Sequence, residues 1–192
     1  MVLFMVACGG TTSARAGVFD WEESSQVQLR MWIPDDQDVI YGFYLSFNES
    51  GGDTRLDLTE GQFQRYRDYA QTMGFGLIGT QFSDRENDND VNHSDTVIEA
   101  MNDFAEMSGH PEIANAPVIT EGISLGGHNA IKFAAVHPER TIAYLGGGIS
   151  YLPTEVDNPA FARVPGFFYQ GETDTDPEGH LADFLNLRSD AI

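Results

Sequence analysis

Apolar positions along the chain follow two periods in turn. Residues 27–33 alternate in strand fashion, and Pro34-Asp35-Asp36 ends them as a turn. Residues 39–47 are more continuously apolar, which predicts a strand buried on both faces, and residues 48–53 form a polar, glycine-bearing loop. Thr59 is placed to cap a helix whose apolar face is Phe63, Tyr66, Tyr69, Ala70 and Met73, with Gly74 to end it. Residues 75–78 predict a short buried strand, followed by an acidic, Asn-rich loop over 81–92. Ser94 or Asp95 then caps a second helix that turns Val97, Ile98, Met101, Phe104 and Met107 inward.

Pro117 leads into a strand over 118–120. The helix behind it carries Ile131, Phe133, Ala134 and Ala135 on its apolar side and stops at His137-Pro138. Residues 141–145 and 164–169 predict two more strands, the first closed by Gly146-Gly147-Gly148, and residues 181–187 begin another helix. Strands alternating with amphipathic helices predict an α/β fold: a mostly parallel central sheet with helices on both faces. With 192 residues the chain has room for one such domain, expected over 21–192, behind a leader and linker over 1–20.

The chemistry centres on Gly122-Ile123-Ser124-Leu125-Gly126, which stands between an apolar strand and an amphipathic helix. A tight strand-to-helix turn lifts a serine hydroxyl clear of the backbone and tolerates only small neighbours two residues to either side. Gly122 and Gly126 fill those positions, and Gly127 gives the helix further room to pack. The start of the helix aims free N–H groups at the site, where an anionic intermediate is stabilised. Ser124 is thus the expected nucleophile, and the bland alternative is a Gly/Ser turn without catalysis.

An oxyanion hole needs two donors. One is the N–H of Leu125; the other is expected from the loop after residue 47, at Ser50, with Glu49 as its rival. A third member, an acid after a later strand, is expected at Asp174, with Glu172 and Asp176 close by. Among five histidines, His93, His110 and His137 precede the acid in turns or at helix ends and read as structural. His128 lies one turn past Ser124 and points away, and His180 follows Asp174 by only six residues. No histidine therefore stands where the base belongs, and the chain is expected to lack the last strand and helix of its fold.

Taken together, Ser108-Gly109-His110-Pro111-Glu112, Ala116-Pro117, the Ser124 pentapeptide with Gly127, and His137-Pro138-Glu139-Arg140 resemble bacterial secreted α/β-hydrolases of the esterase type. These are akin to the polyhydroxyalkanoate depolymerase, feruloyl esterase and dienelactone hydrolase groups. Residues 164–174 look like the acid strand of such proteins. Residues 30–34 and 52–55 look like their first strand and oxyanion loop. The resemblance covers roughly residues 27–175 and implies a carboxylic-ester hydrolase working through an acyl-enzyme on a small or polymeric ester. The alternative is a non-catalytic binding or surface lipoprotein of the same fold. Ile123 departs from the many relatives with histidine at that position.

Charge and composition narrow the partners. Thirty acids against ten bases give a net charge of −20, and Lys132 is the only lysine, so a phosphate backbone is repelled and nucleic acid is not an expected partner. No apolar run reaches the roughly 18 residues that span a bilayer. Cys8, the single cysteine, permits no disulfide within the chain. It follows an apolar run and precedes Gly9-Gly10, as a lipidated cysteine does at the end of a lipoprotein signal, so a lipid anchor at Cys8 and a secreted or cell-envelope location are expected. Asp84, Glu86, Asp88, Asp90, Asn92 and Asp95 mimic the spacing of a calcium loop, but Asn89 replaces its turn glycine and a solvated acidic loop is the expected reading. No zinc pattern, phosphate loop or dinucleotide fingerprint occurs, so no metal and no cofactor is expected.

Overall fold

The computed structural model describes residues 15–59, 64–83, 93–149 and 152–171. Within them, seven strands form one sheet: β1 (Gly17–Ser24), β2 (Val27–Ile33), β3 (Gly42–Ser46), β4 (Phe75–Phe82), β5 (Val118–Ile123), β6 (Thr141–Gly147) and β7 (Gly166–Tyr169). Their spatial order is β1-β2-β4-β3-β5-β6-β7. β1 and β2 run antiparallel to their neighbours, while β4, β3, β5, β6 and β7 are mutually parallel. Four helices accompany the sheet: α1 (Arg55–Thr59), α2 (Gln64–Met73), α3 (His93–Ser108) and α4 (Leu125–Val136).

The period of two in each strand sorts side chains onto two faces. Met31, Ile78 and Leu45 lie in register across β2, β4 and β3. They are buried with Val97, Met101 and Phe104 of α3 and Phe133 of α4. On the opposite face Trp32, Leu77 and Tyr44 align, and Leu58 of α1 and Ala70 of α2 cover them. Helices thus pack on both faces, as the strand and helix patterns predict. Among the described residues no helix is long and apolar enough to cross a membrane.

In several places the elements depart from their expected bounds. β1 starts at Gly17, inside the segment expected as leader and linker. It reads poorly as a strand because it is an edge with much of its surface in water, yet Phe19 and Trp21 pack against the core. Asp20 stands opposite Arg30 in the β1–β2 register and accepts from its Nε at 2.6 Å.

Thr59 is the last residue of α1, and the next described helix runs Gln64–Met73; residues 60–63, which lie between them, are outside the described residues. Of Tyr66, Tyr69, Ala70 and Met73, only Ala70 is buried, and Tyr69 is 73% exposed. Tyrosine carries an apolar ring with a polar tip, so helical spacing of tyrosines overstates the buried face. Phe63 lies outside the described residues.

Residues 39–41 stay outside β3. The Ile40 N–H donates to Glu112 Oε1 at 2.9 Å. The helix expected behind a Ser94 or Asp95 cap already includes His93; it buries Val97, Met101 and Phe104 as expected, while Ile98 is half-buried and Met107 is exposed. Asp95, the last acid of the calcium-like spacing, instead contacts His137 Nε2 at 3.2 Å. The rest of that acidic stretch, residues 84–92, lies outside the described residues.

Candidate active site

β5 runs directly into α4 through one residue, Ser124, whose backbone has φ 56° and ψ −126°. This conformation is one that a side-chain-bearing residue rarely adopts; it costs of order 1–3 kcal/mol and persists only where the surroundings hold it. The surroundings do so by contact. A Cβ on Gly122 would lie 2.2 Å from the carbonyl carbon of Gly126, and one on Gly127 would lie 2.7 Å from the oxygen of Gly147. The Ser124 N–H donates to Gly147 O at 2.9 Å, tying the turn to β6, and Ser124 O accepts from His128 N at 3.0 Å to start the helix. Ser124 itself is exposed. The turn therefore presents its hydroxyl outward at the head of a 12-residue helix whose residues from Gly126 to Ala135 are all buried.

The loop after β3 lies against this turn. A Cβ on Gly126 would stand 2.4 Å from Phe47 O and 3.0 Å from Asn48 O, so backbone of the loop and backbone of the helix start touch. The Gly52 N–H donates to Glu49 O at 2.8 Å, which closes a four-residue turn with Ser50 and Gly51 at its centre. Gly51, at φ 70°, occupies the third turn position, where positive φ favours glycine.

The loop is held by side chains that its polar sequence does not announce. Asn48 is buried, and its amide bonds Phe82 through both groups. Thr54 receives the Thr80 N–H on its Oγ1 at 2.9 Å and donates its own N–H to Thr80 O at 3.0 Å. Asp53 binds Arg55 through Oδ1 and Oδ2, at 2.9 and 2.7 Å. Burial pushes the Asp53 carboxyl up, but the hydrogen bonds and charge of Arg55 outweigh it and hold the carboxyl below the usual range.

Beside the turn, between it and the loop, opens a cleft of about 280 Å³. Phe47, Glu49, Leu58, Tyr66, Glu121 and Ile123 are among its lining residues. Glu121 sits on β5 three residues before Ser124 and accepts from Ser46 Oγ at 3.0 Å. Tyr44 hydrogen-bonds both Glu121 and Tyr66, and burial, with the Glu121 charge second, pushes its phenol far above the usual range. Tyr169 at the end of β7 is raised as well, by burial first and the Glu121 charge next.

No protein-family model and no curated protein sequence matches the chain. Solved structures do. S-formylglutathione hydrolase (FrmB) from Staphylococcus aureus superposes with a TM-score of 0.65 at 14% identity, covering 92% of this chain and 86% of its own. A ferulic acid esterase gives 0.55 at 10% identity, covering 92% and 97%. An acetyl xylan esterase from Aspergillus awamori gives 0.52 at 14% identity over 68% of this chain, which spans about half (51%) of that protein. The chain has the α/β-hydrolase fold. Its strand order, with one antiparallel edge, a parallel remainder and a serine turn after β5, agrees with that assignment.

On this fold the sequence-expected residues fall into two groups. Ser124 and Leu125 occupy the turn and the first position of α4. Ser50 lies in the loop after β3 that packs on that helix start. Asp174, its rivals Glu172 and Asp176, His180, Cys8 and residues 181–187 lie outside the described residues. The four described histidines are engaged elsewhere. His93 stacks on Phe82 with ring centres 4.1 Å apart, His110 Nδ1 is 2.9 Å from Glu112 Oε1, His137 pairs with Asp95, and His128 is buried on α4. Among the described residues no histidine ring is hydrogen-bonded to Ser124.

Asn48, Tyr44 and Glu121 escaped the sequence reading. Glu121 did leave a signal there, since a carboxylate within a parallel strand needs a partner where it is partly taken out of water.

Proposed function

We propose that the protein is a carboxylic-ester hydrolase with Ser124 as its nucleophile. The observation that carries this reading is the Ser124 backbone, held at φ 56° by contacts that forbid any side chain at Gly122, Gly126 or Gly127. A strained turn that exposes a hydroxyl at a helix start has a use in acyl transfer, where strain serves to aim the nucleophile. Ser124 attacks the acyl carbon. The Leu125 N–H and an N–H of the Ser50 turn receive the oxyanion. Asp174 orients the histidine that takes the serine proton, and water then releases the acyl group. The superposed structures are an acetyl xylan esterase, an S-formylglutathione hydrolase and a ferulic acid esterase, which supports an ester substrate.

A fluorophosphonate probe tests this on the full natural chain. Covalent labelling that disappears in Ser124→Ala, together with hydrolysis of short p-nitrophenyl esters, is the expected result. A folded chain that neither takes the probe nor cleaves those esters overturns the enzyme and favours a binding protein of the same fold. The apolar run before Cys8 supports an envelope lipoprotein, for which labelling by a palmitate analogue, lost in Cys8→Ala, is expected.

A further inference from the structure

The cleft beside Ser124 has an electrostatic asymmetry. Two of its acids are built in, and they are treated differently. Asp53 is matched by Arg55, which meets both carboxylate oxygens. Glu121 is held instead by neutral hydroxyls, Ser46 Oγ at 3.0 Å and the Tyr44 phenol. Among the described residues, no Arg, Lys or His side chain is paired with it. Hydroxyl donors fix the direction of a carboxylate without cancelling its charge.

The register explains why Glu121 faces the cleft. It stands opposite Ser46 across the β3–β5 pair, two residues from Ile123, so both β5 side chains rise from the same face. Tyr66 comes from α2 above and is more than one-third exposed, and its ring packs 5.4 Å from that of Tyr44. The cleft thus combines an oriented carboxylate, an aromatic wall from Tyr66 and apolar lining from Leu58 and Ile123. A carboxylate with an aromatic face is the combination that recognises an ammonium group, through charge and through the ring quadrupole.

We propose that this cleft binds a cationic group of the substrate, an ammonium or trimethylammonium, with Glu121 as its counter-charge and Tyr66 as its aromatic wall. That the cation belongs to an ester rests on the function proposed above; the cation site itself does not. The cleft borders the nucleophile through Ile123 and the Ser50 turn through Glu49 and Gly52, so a bound cation stands near the acyl or alcohol part of a substrate at Ser124. Glu121 is in this sense a specificity-determining residue.

The test compares two probes of equal shape, choline and its uncharged carbon isostere 3,3-dimethylbutan-1-ol, by saturation-transfer NMR titration of the full chain. Choline is expected to bind about tenfold more tightly, the scale of one charge and one aromatic contact in a partly open site. Glu121→Gln should erase that preference, and Tyr66→Leu, a change on an exposed helix surface, should reduce it several-fold while leaving the isostere unaffected. Circular dichroism verifies that both variants fold. Equal binding of the two probes, no binding of either, or a preference that survives Glu121→Gln overturns the proposal. Fluorophosphonate labelling of the same samples reports separately on the ester reading. Labelling without cation preference removes the cation site alone; cation preference without labelling removes the esterase alone.

Discussion

The side-chain amide of Asn48 grips the peptide backbone of Phe82 from both sides: Oδ1 accepts from Phe82 N at 2.9 Å, and Nδ2 donates to Phe82 O at 3.1 Å. The same amide also meets Thr80 Oγ1 and Glu49 O. One side chain therefore stands in for a further rung between β3 and β4 and joins it to the loop that faces Ser124. Replacing it strands several buried partners at once.

Asn48→Ala should lower stability by about 3 kcal/mol, since each buried group left without a partner costs roughly 1–3 kcal/mol and water can recover some of them. The urea midpoint measures this. Ester hydrolysis should fall further than the unfolded fraction explains, because the loop is aimed by the same amide. Wild-type stability in the variant would show that the amide is replaceable.

Gly126→Ala and Gly122→Ala should both be severe. The added methyl would meet Phe47 O at 2.4 Å in the first and the Gly126 backbone at 2.2 Å in the second. Neither obstacle is a flexible side-chain tip. The expected loss is at least the roughly 1–3 kcal/mol typical of overpacking, with a fall in fluorophosphonate labelling among the molecules that remain folded. Thermal melts and active-site titration together check it.

Ser124→Gly and Ser124→Ala both remove the hydroxyl, yet they should differ in stability. Alanine keeps the strain at φ 56° and ψ −126°, whereas glycine adopts such backbone freely. The glycine variant should be the more stable by about 1 kcal/mol, in spite of glycine's greater freedom in the unfolded chain. Paired urea titrations decide it, and an alanine variant as stable as the glycine variant would mean that the turn stores no strain.

Asp53 sets a pH dependence. Its carboxyl is held below the ordinary value in the fold, with the Arg55 contacts overcoming burial. The stabilisation is therefore complete above the unfolded carboxylate range, near pH 4, and is lost as pH falls through the lower folded value. Asp53→Asn should weaken the fold at pH 7 and flatten the decline in stability below pH 4. Urea midpoints between pH 2.5 and 7 for the two proteins give the comparison; parallel curves would remove Asp53 from the acid limb.

What could be read before folding, and what could not, follows from how each residue meets its neighbours. β2 was legible to the residue because one face is buried and the other half-wet, so the period of two is written directly. The Ser124 turn was legible because its glycines are demanded by local backbone approach. β1 was not, since an edge strand with alternate residues in water carries little apolar signal. The exposed side of α2 was misjudged because tyrosine satisfies an apolar pattern while remaining at the surface. Asn48 was invisible for a different reason: a polar residue in a polar loop looks solvated, and only the approach of β4, more than thirty residues later in the chain, makes it interior.

The close backbone contacts at the turn fall on Gly122, Gly126 and Gly127, whereas residue 124 is exposed. Geometry and reactivity are therefore separately heritable. A lineage built on this frame can exchange the hydroxyl for a thiol or a carboxylate by a codon change and keep the same pose, whereas it cannot move the pose without rebuilding three glycines at once. The frame constrains where a reaction happens far more tightly than which reaction it is.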